Sequence, residues 1–265
     1  MQQAELRELI EAEVREAAAH PRGETRYREP LVGFSGVDDD AFARLRLCVP
    51  GHLTPEQLLP GAHGLVSYFL PFSEDVVRAN TRSSRVAREW AVAYVETNRL
   101  LASIGESLVE ALAAHGIRAA AEAPTHVFDK ERLTAAWSHK SIACMTGLGS
   151  FGLNSLAITD AGCAGRFGSL VVDMGPGVSA TPAKTRCLYH HDGTCGLCVA
   201  RCPVSALAVD GSFDGRSCYR HLREVDAYYA DLPLTDVCGK CSVGLPCSLM
   251  NPVRTPEMQP DHPAD

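Results

Sequence analysis

The sequence predicts an α+β protein in two parts: an α/β layer over residues 1–180, then a small cysteine-bound module over 181–255, with a tail at 256–265. In the first part, apolar residues alternate between helical and extended spacing. Eight of the eleven cysteines lie between Cys187 and Cys247, against only Cys48, Cys144 and Cys163 before them. Between the two parts runs VDMGPGVSATPAKTR, whose glycines and prolines suit a linker.

The first expected element is a surface helix over 4–19, where acids and bases alternate along the chain. HGLVSYFLPF (63–72) is a short apolar run ended by Pro71 and predicts a buried strand. From 84 to 115, Val86, Trp90, Tyr94, Leu101, Ile104, Leu108 and Leu112 recur at helical spacing, and Gly116 supplies the stop. Trp90 and Tyr94 then belong to a core face, not to a stacking platform. The residues before GLGSFGLN (147–154) also look helical. SLAIT (155–159) and GSLVVD (168–173) are β-rich, flanked by glycine, and expected in one sheet.

Composition narrows the function. A formal charge of −7 without a basic run argues against a nucleic-acid partner. No apolar stretch approaches the ~20 residues that span a bilayer, and the charged N-terminus lacks the apolar heart of a signal peptide. A cytoplasmic location is expected, with no membrane partner. Thiols stay reduced there, so metal ligation is the default use of the cysteines.

Cys195, Cys198 and Cys202-Pro203 spell C-x2-C-x3-C-P, the ending of a bacterial ferredoxin motif whose fourth cysteine serves the other cluster. Seven residues separate Cys187 from Cys195, where that motif has two. Cys218, Cys238-x2-Cys241 and Cys247 follow. Eight thiolates are what two 4Fe-4S clusters need. Crossed ligation would give Cys187, Cys195, Cys198 and Cys247 to one cluster and Cys202, Cys218, Cys238 and Cys241 to the other. Two zinc sites are the rival; the C-P ending and the interleaved ligands count against them. Cys144 is read as a small hydrophobe, and His190 and His191 as a solvated loop.

GLGSFGLN spells G-x-G-x-x-G, but no acid is placed for a ribose, so a dinucleotide site is not expected. Together with PGAHGLVSYFLPF (60–72) and the double-cluster module, it resembles the epoxyqueuosine reductase family, relatives of the cobalamin-dependent reductive dehalogenases. The resemblance covers most of residues 30 to 250. It implies a cobalamin/nitroreductase-like first domain and a ferredoxin-like second one. Electrons would pass from an external flavodoxin- or ferredoxin-type donor through both clusters to cobalamin, whose reduced cobalt reacts with substrate. Gly147, Leu148, Gly149, Gly152 and Asn154 match the family's cofactor loop by position.

Several departures point to a paralogue with another, small-molecule substrate. The family's acidic proton donor falls near Leu133, in RLTAAWSHK, where no acid stands; Asp129 and Glu131 are out of register. Phe151-Gly152-Leu153-Asn154 replaces the family's tryptophan and Gly-Lys-Asn. The sequence ends 18 residues after Cys247, without the helical repeats that bind tRNA in many members, so tRNA is not expected. His139 and Lys140 become the candidate proton donors, since an imidazole titrates near neutral pH. The alternative is an electron-transfer partner without a substrate of its own, whose first part docks a separate enzyme.

Overall fold

The computed structural model describes residues 2–123, 128–178 and 184–253. Helix α1 (Gln3–Ala19) opens on a capping box in which the Glu5 carboxylate accepts the Gln2 backbone N–H at 2.7 Å. It buries Leu6, Ile10, Val14 and Ala18. Strand β1 (Leu31–Gly36) follows, then α2 (Asp39–Cys48), capped by Asp38, and the short α3 (Pro55–Leu58). Strand β2 (Gly64–Pro71) is buried along its whole length. Next come α4 (Glu74–Arg82) and the long α5 (Arg88–Ala113), which Val86 just precedes.

Strand β3 (Ala119–Ala121) leads to a small hairpin, β4 (Phe128–Asp129) and β5 (Thr134–Ala135). Helix α6 (His139–Met145), β6 (Gly149–Phe151), β7 (Ala157–Thr159) and β8 (Gly165–Val172) complete the first part. The cysteine-rich part carries α7 (Leu188–Asp192), α8 (Leu197–Arg201), α9 (Gly215–Tyr228) and a 3-10 turn at Lys240–Ser242.

The main sheet has the order β1-β2-β8-β3, and every pairing in it is antiparallel. This corrects the α/β layer expected for residues 1–180 to α+β. An α/β sheet needs parallel strands joined by crossovers, and this sheet has none. It also corrects the placing of SLAIT beside GSLVVD: β7 pairs with β6 in a separate ribbon, and a Thr159–Gly162 bridge then turns the chain into β8. The tail at 256–265 and residues 179–183 of the linker lie outside the described residues.

Helices α1 and α5 cover one face of the sheet, where Leu6, Ile10, Leu108 and Leu112 meet Tyr68 and Leu170. Each such side chain, fully buried, contributes roughly 1.5–3 kcal/mol. Trp137 and Ile142 cover the other face against Phe42, Leu65 and Val171. The cysteine-rich part joins a third core, in which Val225, Tyr229 and Val243 pack with Phe72, Val86 and Trp90. Gly239 is left-handed (φ 71°), and a Cβ there would fall 2.3 Å from the Trp90 ring. Only glycine allows that approach. Among the described residues no helix is long and apolar enough to cross a membrane.

Candidate functional site

The eight clustered cysteines fall into two groups of four. Cys187, Cys195, Cys198 and Cys247 line one small apolar pocket, beside Leu153 and Ile158. Burial pushes the Cys198 thiol up to about 11, and neighbouring Cys247, Cys187 and Cys195 add to it. Burial likewise raises Cys218 to about 11, with Cys238 and Cys202 as its thiol neighbours. Cys241 rises to about 12 by burial, then through Cys238, Cys218 and Cys202, with Cys198 behind them. Cys202, Cys218, Cys238 and Cys241 therefore form a second group, and Cys241 adjoins the first.

Local sequence sets these positions. Cys187 caps α7, Cys198 lies within α8 and Cys202 ends α8; Pro203, lacking an N–H, stops the helix there. The Ala206 N–H donates to Cys202 Sγ at 3.2 Å. Among the described residues no three His, Cys, Asp or Glu side chains meet closely enough to hold a single ion.

The surroundings fit an anionic cofactor. Lys140, Arg201 and Lys240 have no carboxylate partner among the described residues. Lys240 is 7% exposed and donates to the carbonyls of Asn80 and Ser83 at 2.6 and 2.7 Å. Lys140 donates to the Ser155 carbonyl at 2.9 Å. The Nε of Arg201 is buried without a partner, as is Nη1 of Arg186, next to Cys187. Burial lowers both lysines; Cys238 opposes this at Lys240, and Cys241 then Cys144 at Lys140. Buried cations without acids are costly unless a negative group lies close. Four thiolates outweigh the charge of a four-iron core, so a cluster in each group would supply that charge. Bound iron would also reverse the rise in thiol pKa.

Helix α6 carries the other candidates. Ser138 caps it, its hydroxyl accepting the Ser141 N–H at 3.3 Å. His139 Nδ1 lies 2.8 Å from Ser169 Oγ, which also accepts the Trp137 indole N–H at 2.9 Å. Behind them, His52 Nε2 accepts the Ser138 N–H at 2.9 Å and Nδ1 faces the Leu53 carbonyl at 2.7 Å. Burial first, then the charges of Arg166 and His52, push His139 down to about 4. The expectation of titration near neutral pH is thereby corrected: partial burial and neighbouring positive charge favour the neutral imidazole.

The glycine loop frames this corner. Gly147 ends α6 in a left-handed turn (φ 74°), and Gly149 pairs with Thr159. A Cβ on Gly152 would lie 2.7 Å from Ile158 Cδ1, and one on Gly33 would lie 2.9 Å from Leu148 Cβ. The missing side chains at Gly149 and Gly152 are thus used inside the β6–β7 hairpin. Asn154 Nδ2 donates to the Cys241 carbonyl at 2.8 Å. Lys140, Asn154 and the second thiol group come together, with His139 adjacent on α6.

Leu133, near which the resemblance would place an acid, has a left-handed backbone (φ 56°). The exposed Asp129 carboxylate is held below its usual range by the backbone N–H groups of Arg132 and Glu131. Burial raises the Cys144 thiol to about 11, as suits a small hydrophobe. His190 and His191 are exposed. Sequence reasoning missed Ser169, His52, Lys240 and Arg201. Lys240 stood between Cys238 and Cys241, and Ser169 was a lone hydroxyl in an apolar strand; both could have been noticed.

The sequence matches no protein-family model and no curated protein. Its fold is similar to several solved structures. Selenomethionine-labelled epoxyqueuosine reductase superposes with a TM-score of 0.59 at 17% identity, covering 92% of this chain and 66% of that one. Epoxyqueuosine reductase with an epoxyqueuosine-modified tRNA-Tyr stem loop gives 0.57 at 17%, covering 97% and 70%. A reductive dehalogenase whose structure suggests a mechanism for B12-dependent dehalogenation gives 0.55 at 12%, covering 89% and 35%. The chain thus spans about two thirds of the reductases' length and about a third of the dehalogenase's. At these identities the likeness is one of fold.

Proposed function

We propose that this protein is an iron–sulfur oxidoreductase that passes electrons through two 4Fe-4S clusters to a reducible group beside α6 and the glycine loop. The observation that carries the proposal is the grouping of eight thiols into two sets of four, bordered by Lys140, Arg201 and Lys240 without acidic partners. The fold shared with reductases supports the same class. The clusters supply one-electron transfer at low potential. A cobalamin bordered by Gly147, Leu148, Gly149, Gly152 and Asn154 would supply a reducible cobalt; the substrate is a small organic molecule.

The chain's own residues then have defined tasks. Ser169 Oγ accepts from Trp137 and is placed to donate its proton to His139 Nδ1. The neutral imidazole then carries its hydrogen on Nε2, as a fixed donor. Lys140, its pKa lowered by burial, is the better acid of the two. Helix α6 and the hairpin bury both in part.

Anaerobic purification with iron and cobalt analysis, followed by cobalamin titration in the visible spectrum, tests the proposal. About eight irons per chain are expected, together with a spectral shift on adding cobalamin. Two tightly held zincs and no iron would defeat it. Iron without any affinity for cobalamin would remove the corrinoid and favour the electron-transfer partner.

A further inference from the structure

Cys163 has no part in either set of four, yet it sits directly behind one of them. It is 4% exposed, in the turn between β7 and β8, and its backbone N–H donates to the Cys247 carbonyl at 2.9 Å. Its Sγ lies 4.0 Å from Cys247 Sγ and 3.9 Å from the Ser242 carbonyl, placed to donate to either. Asn154 Nδ2 approaches the same sulfur at 4.0 Å from the glycine loop. Cys163 does not line the cavity that Cys187, Cys195, Cys198 and Cys247 face. It belongs to the apolar layer packed around that cavity, whose four ligands are complete without it.

We propose that Cys163 is a positioning residue that donates its S–H to the Cys247 sulfur and thereby raises the reduction potential of the cluster held by Cys187, Cys195, Cys198 and Cys247. The inference rests on the two-cluster proposal above. Hydrogen bonds to ligating sulfurs draw charge from a cluster and favour its more negative, reduced form. The Ser242 carbonyl competes for the same proton, but a sulfur carrying ligand charge is the stronger acceptor. The Asn154 amide, donating toward the Cys163 sulfur, leaves the thiol proton free for Cys247. Through Asn154, the glycine loop touches both thiol groups at once: Cys241 by its carbonyl, and Cys247 by way of Cys163.

The test compares anaerobically loaded wild type with Cys163→Val, Cys163→Ala and Cys163→Ser. Iron is counted per chain, and potentials are read by redox titration of the reduced clusters' paramagnetic signals. All four proteins should hold about eight irons. In the valine and alanine variants one of the two reduction steps should move to a more negative potential, with the other unmoved. The serine variant, still a donor, should stay nearer wild type. Valine keeps most of the buried volume and so separates loss of the donor from a cavity, should alanine fail to fold. Four equal potentials would overturn the inference. So would a fall to about four irons in the valine variant, since Cys163 would then be a ligand. Wild type without iron would instead refute the two-cluster proposal itself, whatever the variants did.

Discussion

His139 sits one residue from Lys140 at the start of α6, and burial acts on both by disfavouring the charged form. For His139 the consequence is a pH dependence whose sign can be worked out. The unfolded imidazole binds a proton near its ordinary 6.5, while the folded one does so only near 4. Between those values the unfolded chain holds more protons, so stability falls as pH is lowered through that window. The loss approaches roughly 3 kcal/mol at the acid end, since each pH step of one across the window removes about 1.4 kcal/mol. His139→Gln should flatten the slope. Urea midpoints at pH 7.5 and 4.5 check this, and an equal drop in wild type and variant would contradict it. The sequence named both residues but could not show their partial burial. That depends on Trp137, Ser169 and His52, which come from three separate segments.

At the scale of elements, caps and close approaches decide where the candidates sit. Ser138 caps α6, and Ser138→Ala should cost about 1 kcal/mol, read as a shift in the denaturation midpoint with unchanged slope. A larger effect is expected at Gly239, the left-handed residue between Cys238 and the 3-10 turn that carries Cys241. A Cβ there would collide with the Trp90 ring and with its own backbone preference. On the two-cluster proposal, Gly239→Ala should therefore displace the second thiol group from α5 and lower bound iron toward half, with the first group retained. Full iron and an unchanged melting temperature in that variant would show that the contact can relax.

Elements with a strong period were legible in sequence: α1, β2 and α5 appear within a few residues of their expected limits. Pairing was not. GSLVVD and SLAIT are equally β-rich, and nothing in either says that one enters the sheet while the other folds back on β6. Strand β1 escaped because LVGFSG carries two glycines and no clean alternation.

Across the whole molecule, the cysteine-rich part is stitched into the sheet layer. Arg28 donates to the carbonyls of Phe72, Ala161 and Leu249, so one guanidinium spans three segments. The N–H groups of Cys163 and Ala164 donate to the carbonyls of Cys247 and Ser248. Tyr94 donates to Asp236 at 2.5 Å, with the Arg166 guanidinium 4.3 Å over its ring. Cysteine spacing gave a local signal for the proposed clusters, whereas these bonds have no local signature and arise only when distant segments meet. On the two-cluster proposal, loss of iron should weaken both parts together, because they share a core. The two tryptophans report on opposite places: Trp90 lies against Gly239 at the junction, and Trp137 on the far face of the sheet. In single-tryptophan variants Trp90→Phe and Trp137→Phe, anaerobic chelation of iron should lower the thermal midpoint seen by fluorescence equally for both. If the transition seen by Trp137 stays in place while the one seen by Trp90 moves, the parts unfold separately and the stitching contributes little.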